Sequence, residues 1–471
     1  MDFHALLTQL NAIVWGPVTL CLLVGTGLYF TVRLKLLQLV KLPLALSLLF
    51  KPASGKGELS SFGALCTALS ATIGTGNIVG VATAIKLGGP GALFWMWVAA
   101  FFGMATKYAE CLLAVKYRTT DNRGNMAGGP MYYIEFGLGL GWLARLFAVF
   151  GVGVAFFGIG TFAQVNAISD AMTVAFAVPT WLTASVLTLL VAAVTLGGVK
   201  RIASVAQTLV PSMAIGYVLA CLWVLVSGYQ AITPALSLVI NAAFTPVAAA
   251  GGFLGATVAL AIQTGIARGV FSNESGLGSA PIAAATARTK EPVEQGLVSM
   301  TGTFFDTLII CTMTGLVLII TGVWNGDSAG AAMTSAAFSA ATGPLLGQYL
   351  VTVALVCFAF TTILGWNYYG ERCWGYLTGG RYSALYRLVF LLLIAGGAFI
   401  KLDLIWLLAD IVNGLMAIPN LIALIGLRSV ILAESQRYFG VRDALNTAGC
   451  LPNAGTPVQR CAKESGQIRA G

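Results

Sequence analysis

Ser70-Ala-Thr-Ile-Gly-Thr-Gly-Asn-Ile-Val-Gly80 and Arg268-Gly-Val-Phe-Ser-Asn-Glu-Ser-Gly-Leu-Gly-Ser279 each interrupt an apolar stretch long enough to cross a membrane. Glycine runs and polar side chains at membrane depth are tolerated only where the backbone faces protein or a water-filled cavity. Two such interruptions argue for a polar centre buried inside a bundle of apolar helices. What surrounds them agrees. Of 471 residues, 58% are hydrophobic and 9% charged, against roughly a quarter charged in a soluble domain, and the mean hydropathy is +0.87. The 26 basic and 17 acidic side chains cannot cover the surface of a soluble fold this large. A soluble enzyme, a disordered chain and a nucleic-acid binder are excluded, despite the net charge of +9.

Charge and Pro/Gly punctuation divide the chain into eleven apolar segments, roughly 12–32, 62–86, 91–116, 143–172, 180–199, 202–227, 249–287, 296–323, 345–370, 384–400 and 404–432. No basic n-region or cleavage pattern precedes the first, which reads as a retained span. Leu34 to Phe50, with Lys35, Gln38 and Lys41 set among leucines, predicts an amphipathic segment on the membrane surface. The end of the chain, 434–471, reads as a flexible polar tail on the cytoplasmic side. If alternate connections face the cytoplasm, beginning after the first segment, 22 Lys and Arg lie inside and only Lys86 and Lys401 outside. That bias predicts eleven spans with the N-terminus outside and the C-terminus cytoplasmic.

The interruptions fall in segments two and seven. A repeat of five helices inserts its second copy upside down, and matched breaks in inverted halves point to a secondary transporter's substrate site. The expected organisation is therefore a peripheral first helix (1–33), the amphipathic segment (34–57), one five-helix repeat (58–228), its inverted copy (229–433) and the tail (434–471).

Other chemistries fail on the residues. Gly74, Gly76 and Gly80 miss the dinucleotide spacing and follow no strand, and no phosphate-cradling GxxxxGK[ST] occurs. Close helix packing is the plain reading of those glycines; Thr72, Thr75 and Asn77 beside them favour a site. Ser275 has no base for nucleophilic catalysis, since the single His is His4. Nine Cys form no CxxC pair, so neither a disulfide framework nor a zinc site is indicated. Charges at membrane depth are costly and face the protein interior. Lys107 and Glu110, at i and i+3, are expected to pair. Arg268 and Glu274 flank the second interruption and are expected to satisfy freed backbone groups and each other. Asp306 anchors a helix end or partners a basic group. Gln164, buried mid-span, must bond a neighbouring helix or a ligand; Thr361-Thr362 and Trp366 pose the same choice between helix packing and a site.

Several blocks also resemble one family. Leu65 to Ala84, Gly88-Gly-Pro-Gly to Trp97, Gly128-Gly-Pro-Met-Tyr-Tyr133, Ser272-Asn-Glu-Ser-Gly-Leu-Gly-Ser279 and Gly365-Trp-Asn-Tyr-Tyr-Gly-Glu-Arg372 look like the alanine or glycine:cation symporters, in the family's order. The resemblance implies a LeuT-type inverted repeat preceded by one extra helix, hence an all-α integral membrane protein of the bacterial inner membrane acting as a monomer. It implies uptake of alanine or glycine with Na⁺ and no other cofactor. Asn77, Gln164 and Trp366 are implied as substrate contacts. Helix N–H groups around Gly76, Asn77 and Ile78, with Thr75 beside them among the substrate residues, suit a carboxylate. Ser272, Ser275 and Gly276 with freed carbonyls suit the ammonium and the cation, and Phe271 and Trp366 wall a methyl-sized pocket. By analogy with LeuT-type transporters, carbonyls of Ser70 and Ile73 with hydroxyls of Thr361 and Thr362 form a sodium site of hard oxygens. A proton-coupled symporter of the same fold is the alternative, and a passive channel the alternative from another class.

Overall fold

The computed structural model describes residues 3–122, 124–247, 255–399 and 402–447. Seven helices among them are long and apolar enough to cross a membrane: His4–Arg33, Gly91–Lys116, Gly141–Phe176, Gly198–Ser227, Pro292–Ile320, Pro344–Thr378 and Leu407–Gly426. An eighth crossing is a broken one, Ser61–Thr72 followed by Gly76–Gly88, bent by 54°. Three further segments expected to span form helices of 16, 16 and 15 residues: Thr180–Thr195, Val258–Asn273 and Ser383–Gly397. At ~1.5 Å per residue they fall short of the ~30 Å hydrocarbon core. By length and composition alone, seven or eight of the described helices or helix pairs qualify as crossings. An apolar helix, Tyr229–Phe244, stands where a connection was expected.

The apolar surface follows from the solvent. Ile13, Val18, Leu189 and Val226 are largely exposed, which only lipid tails make cheap. The chain is a multi-pass membrane protein, so packing inside it relies on close approach rather than on exclusion from water. Gly365 shows how close: a Cβ there would lie 2.7 Å from the Cβ of Ala71. The Pro344–Thr378 helix therefore rests directly on the helix leading into the first interruption. Two segments are wound as π-helix, Gly76–Gly80 and Phe304–Cys311. Such wide turns inside helices recur at functional sites, and both lie against the same polar centre.

Outside the bundle, the expected amphipathic segment forms two short helices, Leu37–Val40 and Leu42–Leu48. Gln38 does not join a solvated face. It is buried, and its amide donates to Thr31 Oγ1 at 2.9 Å, so satisfying a buried hydroxyl outweighs amphipathic spacing. The start of the expected flexible tail is also ordered: Arg428–Thr447 is a helix. Lys116 pairs with Glu434 at 2.5 Å, Arg437 with Glu291 at 2.5 Å, and Tyr108 Oη meets Ser435 Oγ at 2.7 Å. Burial acts to raise the Glu434 carboxyl, but Lys116 and Arg437 outweigh it and hold the group below the ordinary carboxylate range. Residues 448–471 of that expectation lie outside the described residues.

Candidate functional site

The first interruption begins where Ser61–Thr72 ends and Ile73 turns extended, with φ −75° and ψ 95°. A broken helix leaves N–H groups without partners, and side chains take them here. Gly74 N–H donates to Asn77 Oδ1 at 2.9 Å. Thr75 N–H donates to Gln164 Oε1 at 3.4 Å, and Gln164 Nε2 donates back to Thr75 Oγ1 at 3.0 Å. Asn77 N–H bonds the Gly74 carbonyl at 3.3 Å. Gly76 allows the crossing with the second interruption, because a Cβ there would stand 3.0 Å from Ser272 Cα.

The second interruption is unwound rather than bent. Val258–Asn273 stops at Glu274, which adopts the left-handed region at φ 55°, and Gly276 and Gly278 follow at φ 89° and 82°. Gly278 is required twice, by its backbone angle and by space. A Cβ there would lie 2.7 Å from Pro130 Cγ and 2.9 Å from Phe147 Cε2. Glu274 accepts from Trp366 Nε1 at 2.9 Å and from the Ser279 hydroxyl.

Asp306, on the π-helical segment Phe304–Cys311, joins the two interruptions. Its Oδ1 accepts from Asn77 Nδ2 at 2.7 Å, and its Oδ2 from Ser272 Oγ at 3.0 Å and Thr307 Oγ1 at 2.8 Å. Cys311 Sγ lies 3.3 Å from both Asn77 Nδ2 and Ser272 Oγ. Thr75, Asn77 and Asp306 are fully buried, so the node is sealed from solvent. A carboxylate bonded by three donors is held in one orientation, the fixed oxygen geometry a small cation seeks. A cavity of about 360 Å³ lined by Asp121, Tyr368, Arg372 and Tyr376 lies elsewhere, and none of the expected substrate residues line it.

The expected substrate residues divide accordingly. Asn77 and Ser272 meet at Asp306, Gly76 stands against Ser272, and Thr75 pairs with Gln164. Ser275 turns to Thr303, with the two hydroxyls 2.9 Å apart, and the Gly276 carbonyl accepts from Asn420 Nδ2 at 2.9 Å. Phe271 is buried under the Arg268 guanidinium, 5.4 Å from its ring centre; Trp366 is fully buried. Of the expected ion ligands, Ile73 and Thr362 meet, with Thr362 Oγ1 3.3 Å from the Ile73 carbonyl. Thr361 bonds back to the Phe358 carbonyl at 3.0 Å, and the Ser70 hydroxyl to Thr67 at 2.8 Å.

Two expected pairs do not form. Arg268 binds Asp410 with both nitrogens, at 3.0 and 2.9 Å, rather than Glu274. Glu110 accepts from Asn420, not from Lys107, because helical spacing chooses a face and tertiary packing chooses the partner on it. The sequence does not mark the centrality of Asp306, nor Thr307 and Cys311 beside it. A lone carboxylate at mid-span was the only sequence signal of it.

The model of the sodium:alanine symporter family matches residues 1–448. An uncharacterized transporter of Haemophilus influenzae is 61% identical over 441 residues, covering 93% of this chain and 97% of that one. The sodium/alanine symporter AgcS of Methanococcus maripaludis is 51% identical over 453 residues, covering 94% and 98%. The crystal structure of MhsT with L-phenylalanine aligns at a TM-score of 0.49 and 13% identity, over 82% of this chain and 99% of that one. A multi-helix membrane body with sealed polar side chains at its helix breaks is thus a transporter and not an enzyme. The chain belongs to the sodium:alanine symporter family, whose business is sodium-coupled amino-acid transport.

Proposed function

We propose that the chain imports alanine or glycine together with Na⁺ by alternating access, as two inverted halves, 58–228 and 229–433, preceded by one peripheral helix. The observation that carries this reading is the Asp306 node, which ties Asn77 of the first interruption to Ser272 of the second. An ion held there clamps together helices that must separate when the site opens. The substrate carboxylate lies at the start of the Gly76–Gly88 half-helix, near Thr75, Gly76 and Asn77, where the dipole favours an anion. Gln164, Ser272, Ser275 and carbonyls near Gly276 receive the ammonium, while Phe271 and Trp366 restrict the side chain to a methyl group. Asp306 with Asn77 and Ser272 offers one cation site. Ile73 and Thr362, flanked by Ser70 and Thr361, offer another. The relative named as a sodium/alanine symporter supports the substrate, and the basic bias of alternate connections supports a cytoplasmic C-terminus in a bacterial inner membrane.

Purified full-length protein in proteoliposomes tests the reading. One Na⁺ with a zwitterion moves one charge, and 100 mV contributes about 2.3 kcal/mol, roughly a 50-fold accumulation. Saturable uptake of labelled alanine or glycine should rise with external sodium and with an inside-negative potential. Uptake that ignores sodium and follows pH would make this a proton-coupled symporter. Flux that never saturates would make it a channel.

A further inference from the structure

Both interrupted segments reach the side that the basic bias assigns to the cytoplasm, and there they are joined to each other. Residues 54–59 lead into the Ser61–Thr72 helix, and residues 285–289 follow the Ala280–Ala284 helix beyond the second interruption. The Glu58 and Leu59 N–H groups donate to the Thr286 carbonyl at 2.8 and 3.1 Å. Arg288 N–H donates to the Leu59 carbonyl at 2.7 Å, and Ser54 N–H to the Arg288 carbonyl at 3.2 Å. Gly57 fits the seam because it lacks a Cβ, which would lie 2.5 Å from the Ala287 carbonyl oxygen. Against this seam sits Arg118, two residues beyond the Gly91–Lys116 helix. Its Nη1 donates to the carbonyls of Ala285 and Ala287 at 3.1 and 2.6 Å, and its Nη2 to those of Lys56 and Thr289, both at 2.9 Å. One guanidinium thus holds both segments and ties them to a third helix.

Arginine alone among side chains offers five N–H donors in a fixed planar fork, so it can span several carbonyls at once. A cation also suits carbonyls left free past a helix end. We propose that Arg118 locks 54–59 and 285–289 into one moving unit, so that the two interruptions open toward the cytoplasm together. Its four bonds reach none of the candidate ion or substrate residues, which makes it a positioning residue. It acts through the segments that carry Asn77 and Ser272, the two partners of Asp306. Without the lock, one interruption opens while the other stays closed, and sodium slips through unaccompanied. The inference rests on the reading of the chain as an alternating-access sodium symporter.

Reconstituted full-length protein tests it through the ratio of alanine-independent sodium flux to sodium-driven alanine uptake. Arg118→Ala should raise that ratio by about tenfold or more, the factor that one charge-assisted hydrogen bond is worth. A cross-link separates this role from mere support of a helix end. Ser54 and Lys290 are exposed, and a Cβ on Gly55, next to Ser54, would lie 2.9 Å from Lys290 Cγ. Ser54→Cys and Lys290→Cys, joined by a short bifunctional thiol reagent, should keep sodium-driven uptake within about threefold of the unjoined pair, because segments of one rigid body travel together. Joined in the Arg118→Ala background, the same pair should return the ratio to near its wild-type value. A cross-link that abolishes uptake with Arg118 in place shows that the segments part during the cycle, and overturns the proposal whether or not Arg118→Ala folds. An unchanged ratio in Arg118→Ala, or a raised one that the cross-link does not correct, overturns it too. Wild-type uptake that ignores sodium overturns the functional reading itself, and this inference with it.

Discussion

The two interruptions solve the same problem in opposite ways. The first leaves the helix only briefly, turning extended at Ile73, bends by 54° and resumes as a π-turn; the polar side chains Asn77 and Gln164 stitch its loose N–H groups. The second abandons the helix, with three residues at positive φ between Glu274 and Gly278 and only a five-residue helix, Ala280–Ala284, after it. The first carries no charge of its own and takes the carboxylate of Asp306 from another helix. The second brings Glu274 in its own sequence and has it bonded by Trp366 and Ser279. A bent helix with a borrowed charge suits a part that opens and closes around an ion. An unwound loop pinned by its own carboxylate suits a fixed frame.

Removing the two carboxylates one at a time strikes hardest at that contrast. Asp306→Asn leaves donors facing a group that no longer holds a cation, and sodium-driven uptake should fall by about 100-fold, equivalent to roughly 3 kcal/mol. Glu274→Gln should cost about tenfold or less and keep the sodium requirement. Equal losses, measured as initial uptake rates, would erase the distinction.

Glycines offer the second comparison. Gly278→Ala combines left-handed strain of ~1–2 kcal/mol with overpacking of at least ~1 kcal/mol against Pro130 and Phe147. It should therefore destabilise the protein by about 2–3 kcal/mol, visible as a lower unfolding temperature in detergent. At Gly74 the φ is ordinary, and the three atoms nearest a new Cβ all belong to the Thr362 side chain, its hydroxyl at 2.3 Å. Gly74→Ala should unfold closer to wild type while impairing sodium dependence. The opposite ranking would mean that the first interruption is the rigid one.

Smaller effects separate the paired threonines. Thr362→Val removes the hydroxyl facing the Ile73 carbonyl and should raise the half-saturating sodium concentration by about tenfold, one hydrogen-bond-sized loss. Thr361→Val, whose hydroxyl is turned to its own helix, should shift it by no more than about twofold. A sodium titration in which both shift alike would support a site that uses both hydroxyls. The mildest change is expected at Trp366. Trp366→Ala should relax selectivity toward valine by about fourfold per added methylene, at ~0.8 kcal/mol each, as read by competition against labelled alanine. An unchanged profile would make Trp366 a support for Glu274 alone.

Much of this was legible one segment at a time. Glycine and polar side chains inside apolar runs marked both interruptions, because lipid punishes unpaired backbone wherever it occurs. Asn77 and Gln164 stood out as amides at depth for the same reason. Lys107 and Glu110 misled, since i and i+3 spacing reports a shared face and says nothing of Asn420, 310 residues further along. Residues 434–447 look like flexible tail in the sequence because their polar composition hides contacts such as Arg437 with Glu291.

Sequence alone determined the solvent, the class of fold and the two places where helices break, because hydropathy, basic bias and backbone chemistry act on each segment independently of its neighbours. Tertiary structure decided which buried charges meet. Asp306 lies 229 residues from Asn77 and 34 from Ser272, and no local periodicity links positions so distant. Only the packing of the Phe304–Cys311 turn between both interruptions brings one carboxylate within hydrogen-bonding reach of each.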